Sequence, residues 1–361
     1  MRIGIIGAGQ LGQMLGFAAR DLGIEVRFID PSSKPPAAVC GKVIQSKFDD
    51  PVALVALAET CDVITYEFEN VPVAALQHID GIAPIYPPAA ALSFSQDRLH
   101  EKQLFESLGI PLAASHAIDS RADLDAAAHE LGLPMLVKTR RLGYDGKGQC
   151  VVKDASDLDT AWESLGGQPL IAEQWIAFDY EISCIGVRSV SGDIAIYPIS
   201  KNVHVDGILR TSRSPLAEPR LAETASDYVH RLLDHLNYVG VLALELFVVD
   251  DQLLANEFAP RVHNSGHWTI EGATTSQFEN HLRAILDMPL GSTASIDHAG
   301  MVNLIGKIPD AIRSQSPGVL HDYGKTPRPG RKLGHFTVIA NTAAECDELV
   351  EKIDKSVNQS T

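Results

Sequence analysis

Apolar residues follow two rhythms along this chain. Residues 2–7, RIGIIG, form a continuous apolar run closed by Gly7, which predicts a buried parallel strand. Over 10–22 the apolar positions are Leu11, Met14, Leu15, Ala18, Ala19 and Leu22, one face of a helix, with Gly23 placed to end it. Residues 24–30, IEVRFID, return to the strand pattern. Strand, helix and strand predict the βαβ opening of a doubly wound sheet. A further strand at 62–68, DVITYEF, carries Glu67 and Glu69 at its carboxyl end, where open α/β sheets bind ligands; their roles stay open. Pro84, Pro87 and Pro88 interrupt the chain before a predicted helix at 96–108, which places a boundary near residue 95.

The middle reads as α+β. Helices near 121–131 and 155–165 flank a β-rich piece at 134–153, and strands follow at 169–174, 180–188 and 194–201. A helix near 219–236 precedes a hairpin-like pair at 239–258, and another helix covers roughly 275–287. The C-terminal stretch reads as a small β-rich piece (301–306 and 333–340) with a closing helix near 342–354.

Composition narrows the classes. The 361 residues predict two to three domains. Lys plus Arg total 30 against 46 Asp plus Glu, a formal charge of −16. That balance argues against a nucleic-acid partner but leaves room for a local basic pocket for a small anion. The cysteines at 40, 61, 150, 184 and 346 form no CxxC pair, so neither a disulfide framework nor a zinc ribbon is expected, and a reducing cytoplasm fits. The opening residues read as strand and turn rather than a secretory signal, and the apolar runs are too short to span a membrane.

Candidate chemistry lies at six places. Gly7-Ala-Gly9-Gln-Leu-Gly12 is a GxGxxG between strand and helix, and Asp30 ends the second strand. The spacing fits a dinucleotide fingerprint, or glycines that serve only the tight turn and packing. The second is the strand bearing Lys138, followed by Thr139, Arg140, Arg141 and the run GYDGKGQ at 143–149. A glycine-rich loop between strands can fold over a triphosphate, with a strand lysine beneath it. The plainer reading is a mobile basic hairpin. Third, LIAEQWI at 170–176 could be a hinge against an adenine, with Glu181 on ribose hydroxyls. Taken alone, Trp175 reads as core and Glu173 as a surface charge.

Fourth, VLALELFVV at 241–249 is interrupted by Glu245, and LLANE at 253–257 ends in Asn256-Glu257. A two-residue turn sets Glu245 opposite Asn256, whereas a longer loop or a bulge sets it opposite Glu257 on the same face. Opposed like charges destabilise a sheet, and a carboxylate in an apolar strand is costly unless paired. A divalent cation removes both objections, and oxygen-only ligands suit Mg²⁺. Fifth, the polar run 258–268 suggests an anion pocket. His263 and His267 lie four apart, but no HExxH surrounds them, and Pro260 and Gly266 oppose the helix a zinc site would need. Sixth, Lys325, Arg328, Arg331 and Lys332 cluster among prolines and glycines, as a solvated basic loop or a phosphate clamp.

Together these stretches resemble the ATP-grasp superfamily and, within it, the 5-(carboxyamino)imidazole ribonucleotide synthetase family. The resemblance runs from GAGQLGQM near residue 7 to RPGRKLGH at 328–335. It is most specific in GYDGKGQ, HVDGILRTS (204–212) and NEFAPRVHNSGHWT (256–269). It implies α/β and α+β parts: a Rossmann-like N-terminal domain over 1–95, a central ATP-grasp fold with a glycine-rich lid over 96–293, and a small β-rich C-terminal domain over 294–361. It also implies that the N-terminal glycines hold no NAD.

By position, the resemblance puts ATP among Arg98, Lys138, the lid Gly143, Tyr144, Asp145, Gly146, Lys147, Gly148 and Gln149, the hinge Glu173, Gln174, Trp175 and Ile176, and Glu181, His204, Asn256 and Glu257. Glu245 and Glu257 would hold Mg²⁺, with Mn²⁺ an alternative. Lys138, Arg261, His263 and Asn264 would be catalytic, the last three facing bicarbonate. Tyr144, Asp145, Arg261, Lys325, Arg331 and Lys332 would meet the imidazole ribonucleotide, with Arg328 also a candidate for its phosphate. The implied reaction is ATP- and bicarbonate-dependent carboxylation of the exocyclic amine of 5-aminoimidazole ribonucleotide through carboxyphosphate, in purine biosynthesis. A cytoplasmic homodimer without nucleic-acid or membrane partners is implied as well. A nicotinamide-dependent dehydrogenase, a formate-using glycinamide ribonucleotide transformylase and a non-catalytic nucleotide sensor are the rival readings.

Overall fold

A computed structural model gives the fold and describes residues 1–143 and 147–358. The N-terminal sheet contains β1 (Arg2–Ile6), β2 (Glu25–Asp30), β3 (Lys42–Gln45) and β4 (Val63–Tyr66), all parallel in the order β3-β2-β1-β4. The helix Gln10–Asp21 connects β1 to β2 and buries Leu11, Met14, Leu15 and Ala19, the face that the periodicity marks. Gly23 follows with φ of 71°, a left-handed position that favours glycine.

The second sheet is antiparallel: β5 (Ser115–Ile118), β6 (Met135–Thr139), β7 (Gln149–Val152) and β8 (Leu170–Gln174), in the order β5-β8-β6-β7. Helices Arg121–Leu131 and Asp157–Leu165 cover it, packing Leu124, Ala127, Leu158 and Ala161 onto Met135, Val137, Val152 and Leu170. A reciprocal Ser120–Asp123 capping box starts the first of these helices.

The third sheet has nine strands: β9 (Tyr180–Arg188), β10 (Ile194–Ile196), β11 (Ser200–Val205), β12 (Ile208–Ser214), β13 (Gly240–Val249), β14 (Gln252–Ala259), β15 (His298–Ile305), β16 (Val319–Asp322) and β17 (Lys332–Ala340). Its order is β14-β13-β9-β11-β12-β15-β17-β16, with β10 paired to β9. The strand expected at 194–201 is therefore two, β10 and β11, separated by a break that contains Pro198. The motif 204–212 makes the β11–β12 hairpin, turning at Asp206 and Gly207 with φ of 52° and 74°. The predicted C-terminal β-rich piece does not form a sheet of its own. Pairing of β12 with β15 makes it an extension of the central sheet.

The predicted helix at 96–108 begins at Arg98, because Asp97 caps it by accepting from Leu99 N at 3.1 Å. A separate helix, Ala89–Ser95, precedes it. Asp97 also accepts from Arg140 Nε at 2.9 Å and Nη2 at 2.7 Å, a bidentate pair that ties the end of β6 to this helix. Burial raises the Asp97 pKa, but Arg140 outweighs it and the carboxyl stands below its ordinary value. Asp97→Ala removes the cap and orphans Arg140. The expected cost is about 3 kcal/mol or more, read from the midpoint of urea unfolding.

Candidate active site

The lid strands and the helix Arg98–Ser107 meet at a charged cluster. Lys138 on β6 donates to Glu173 Oε2 on β8 at 2.8 Å. Lys102, one helical turn after Arg98, donates to the Asn256 carbonyl at 2.6 Å and lies 3.7 Å from Glu173 Oε1. Glu173 is only 5% exposed. Burial raises its pKa, yet Lys102, Lys138 and Arg98 overcome that and hold it at about 2. Arg98 donates to the carbonyls of Thr139 at 2.9 Å and Gly143 at 3.0 Å, fixing the base of the lid. On the other side Thr139 N donates to Gly148 O at 2.8 Å. A Cβ at Gly143 would lie 2.9 Å from Lys147 O, so the lid base is too tight for a side chain there. Tyr144, Asp145 and Gly146 lie outside the described residues. Gln174 ends β8, Trp175 and Ile176 follow it, and Trp175 is 47% exposed. The plain reading of this stretch is thus inverted: Glu173 is buried with its lysines, and Trp175 faces solvent.

The carboxylate pair sits on the central sheet. Asp250 and Asp251 form a two-residue turn with φ of 47° and 59°, pairing Val249 with Gln252. A bulge then accommodates Asn256, so Glu245 faces Glu257. Both options in the sequence occur at once: the short turn, and the bulge that corrects its register. Glu245 is buried and Glu257 exposed. Burial, then the Glu257 charge, pushes Glu245 up to about 7. His263 Nε2 lies 3.0 Å from Glu245 Oε1, and His204 Nε2 lies 4.0 Å from Oε2. Glu181 pairs with His204 Nδ1. Burial lowers the His204 pKa, but Glu181 and Glu245 outweigh it and raise it above its ordinary value. Burial, Arg261 and Lys332 hold His263 well below its ordinary value. Two opposed carboxylates that repel each other fit a hard divalent cation, which takes one or two carboxylates plus substrate phosphates.

At the carboxyl end of the N-terminal sheet the glycine loop is already occupied. Gly9 N donates to Glu67 Oε1 at 2.7 Å and Gly12 N to Oε2 at 3.1 Å. Asp30 accepts from Ala8 N at 2.9 Å and Ser32 N at 2.8 Å. Both halves of the dinucleotide fingerprint are therefore used internally, which explains why its spacing misleads. Glu69 forms an ion pair with Arg261, joining the loop after β4 to the loop after β14. Lys325 donates to Gln10 Oε1 beside the same helix N-terminus. Burial, with Arg331, Lys332 and Arg328 nearby, lowers Lys325 to about 8.

Two predicted residues have hydrogen-bond partners within the protein. Asn264 exchanges amide hydrogen bonds with Asn303 on β15, at 3.1 and 2.7 Å. Arg331 donates to Thr326 O at 3.1 Å within its own loop. Lys102 and Asn303 escape the sequence reading, which places Glu69 at a ligand-binding strand end without giving it a role. Arg98 and Lys102 carry a signal, because two cations four apart on one helix face repel unless an anion lies opposite. Asn303 carries none.

Three family models match the chain. The ribonucleotide synthetase preATP-grasp domain matches residues 1–96, the ATP-grasp domain 103–278, and the phosphoribosylaminoimidazole carboxylase C-terminal domain 299–349. A protein named N5-carboxyaminoimidazole ribonucleotide synthase from Pseudomonas aeruginosa is 47% identical, covering 98% of this chain and 99% of its own. The crystal structure of N5-carboxyaminoimidazole ribonucleotide synthetase from Thermus thermophilus aligns with a TM-score of 0.93 at 47% identity, covering 98% of each chain. An Aspergillus clavatus N5-carboxyaminoimidazole synthase in complex with ADP and 5-aminoimidazole ribonucleotide aligns with a TM-score of 0.92 at 31% identity, covering 99% of this chain and 98% of that one. With this coverage from end to end, the chain belongs to the N5-carboxyaminoimidazole ribonucleotide synthase family of ATP-grasp proteins.

Proposed function

We propose that this protein uses ATP and bicarbonate to carboxylate the exocyclic amine of 5-aminoimidazole ribonucleotide, a step of purine biosynthesis. The observation that carries the reading is the bulged register of β13 and β14. It turns Glu245 and Glu257 into a facing carboxylate pair beside His263. Glu245 and Glu257 would hold Mg²⁺, or Mn²⁺ by the same oxygens, and the ion supplies charge neutralisation on the phosphates.

Bicarbonate is a poor electrophile. Its oxygen takes the γ-phosphoryl group of ATP, ADP leaves, and carboxyphosphate results. The bond from carbon to the phosphate oxygen breaks and phosphate departs with the electron pair; the amine forms the C–N bond at that carbon, either in the same displacement or by adding to the CO₂ released, and loses a proton. The chain's own residues position and neutralise. Lys138 and Lys102, held by Glu173, and Arg98 at the lid base line the nucleotide side. Gly143–Gly148 is the lid, and Gln174 to Ile176 the hinge beside the adenine. Glu181 and His204 complete the nucleotide wall, with Asn256 and Gln149. Arg261, set by Glu69, offers its charge to the carboxylate being activated. Lys325, Arg331 and Lys332, with Arg328, form the positive end for the ribonucleotide phosphate, and Tyr144 and Asp145 would meet the same substrate. Domain boundaries near 95 and 293 and a homodimer in a reducing cytoplasm complete the reading, to which five free, scattered cysteines lend support.

The deciding experiment is phosphate release from MgATP. Release that needs both bicarbonate and aminoimidazole ribonucleotide is expected; release only with formate and glycinamide ribonucleotide would overturn the substrate assignment. Glu257→Gln removes the charge that raises Glu245. Turnover should drop on the order of 100-fold or more, while the ligand-free protein melts no lower than the wild type, by calorimetry. Lys325 loses its proton above about pH 8 in the free protein. The KM for aminoimidazole ribonucleotide should therefore rise above that pH, and the rise should vanish in Lys325→Arg, whose guanidinium stays charged.

A further inference from the structure

Behind His263 a chain of buried polar side chains crosses three strands of the central sheet. Ser183, Ser200, Asn202, Ser212 and Ser265 are all buried. Ser212 Oγ donates to Asn202 Oδ1 at 2.7 Å, and Asn202 Nδ2 donates to Ser183 Oγ at 3.0 Å. Ser183 Oγ lies 2.8 Å from Ser200 Oγ and donates to Ser265 Oγ at 2.8 Å. Ser265 Oγ lies 2.9 Å from His263 Nδ1, and the Ser265 backbone N–H approaches the same nitrogen at 3.3 Å. Sheet register explains the line-up: Ser183 pairs with Glu245 on one side and with Ser200 on the other, and Asn202 pairs with Ser212. Gln277 holds His263 from behind, accepting from its N at 2.9 Å and donating to its O at 2.6 Å.

Each hydroxyl has one proton to give, so the order of donors can be followed. The Asn202 amide donates into Ser183, which leaves the Ser183 proton for Ser265 and the Ser265 proton for His263 Nδ1. The Ser265 hydroxyl, at 2.9 Å, makes Nδ1 an acceptor, and the backbone N–H at 3.3 Å is too long to hold that state alone. An imidazole that accepts at Nδ1 carries its proton on Nε2, here the nitrogen 3.0 Å from Glu245 Oε1. We propose that Ser265 and Ser183 are positioning residues whose hydroxyl relay locks His263 as a donor, so that it presents an N–H and never a lone pair to the pocket it shares with Arg261 and Glu245. This rests on the reading that bicarbonate and carboxyphosphate lie in that pocket. An imidazole lone pair facing those oxyanions would repel them, whereas an N–H fixed in advance stabilises their charge without reorganisation.

The test reads the ring directly. In ¹⁵N-labelled ligand-free protein, with the His263 resonances assigned through His263→Gln, long-range correlation spectra report which ring nitrogen bears the proton. The wild type should show Nε2–H alone. Ser265→Ala and, separately, Ser183→Ala should give a mixture of both tautomers, with kcat lowered about 10- to 100-fold and the KM for ATP unchanged. Ser183→Thr, which keeps a hydroxyl, should recover both. Thr337→Val removes another buried hydroxyl, one with no hydrogen-bond partner among the described residues, and should alter neither readout. A wild-type Nδ1–H ring, or relay variants whose tautomer or kcat matches the wild type, would overturn the proposal. A wild type with no bicarbonate-dependent turnover would overturn the functional reading instead, with the relay still decided by the spectra.

Discussion

Glu245 and Glu257 stand opposite each other across β13 and β14 because Asn256 bulges out of the ladder. Everything around them answers the cost of that arrangement. A carboxylate inside the run VLALELFVV is expensive, and a second one facing it doubles the objection. The fold meets it partly with two imidazoles, His263 on one oxygen and His204 toward the other. Glu245 still sits near about 7, so the ligand-free site retains part of the strain. A pair of this kind is tolerable in a protein whose working state includes a cation between the two groups. The bulge contributes twice: the extra residue also places the Asn256 carbonyl where Lys102 donates to it, which ties the carboxylate hairpin to the helix that carries Arg98.

The N-terminal sheet serves that centre through the carboxylates at its strand end. Its glycine loop has the donors and helix terminus of a phosphate site, and Glu67 fills them. An internal carboxylate in that position excludes a pyrophosphate by charge and by volume: a Cβ at Gly9 would already lie 2.7 Å from Glu67 Oε1. Two residues on, Glu69 reaches Arg261. One strand end therefore does two different things, closing a vestigial-looking loop and orienting a cation that belongs to the central sheet.

Element types and most of their positions are legible in the sequence because burial follows the apolar rhythm. Leu11, Met14, Leu15 and Ala19 turn inward, and the strand at 180–188 is observed over the same residues. What periodicity misses is polar structure with partners far away in sequence. The β11–β12 hairpin is a strand pair written in His, Asn, Thr and Ser, because its inward face meets Ser183 and Ser265 rather than a hydrocarbon core. Trp175 and Glu173 are inverted for the same reason. Burial follows pairing as well as hydropathy, and Glu173 has two lysines from two other elements. The pairing of Asn264 with Asn303 lies beyond any local pattern, since it depends on β15 being recruited beside β12.

Charge shows how a protein of −16 can hold an anion site. Most cations near the cleft are already matched: Lys138 by Glu173, Arg140 by Asp97, Arg261 by Glu69. Those carboxylates keep each cation in a fixed place, and in the case of Asp97 and Glu173 the carboxyl is itself held ionised. Lys325 differs. It donates to the neutral amide of Gln10 while Arg331, Lys332 and Arg328 press on it, and its proton is correspondingly loose at about 8. Positive charge outruns local neutralisation there, since the pull of Glu67 on Lys325 does not offset burial and the three cations. A group such as a phosphate dianion relieves that imbalance, while the acidic remainder of the surface repels long polyanions. By where its neutralising carboxylates stand, the proposed cleft suits a small phosphate ester at Lys325.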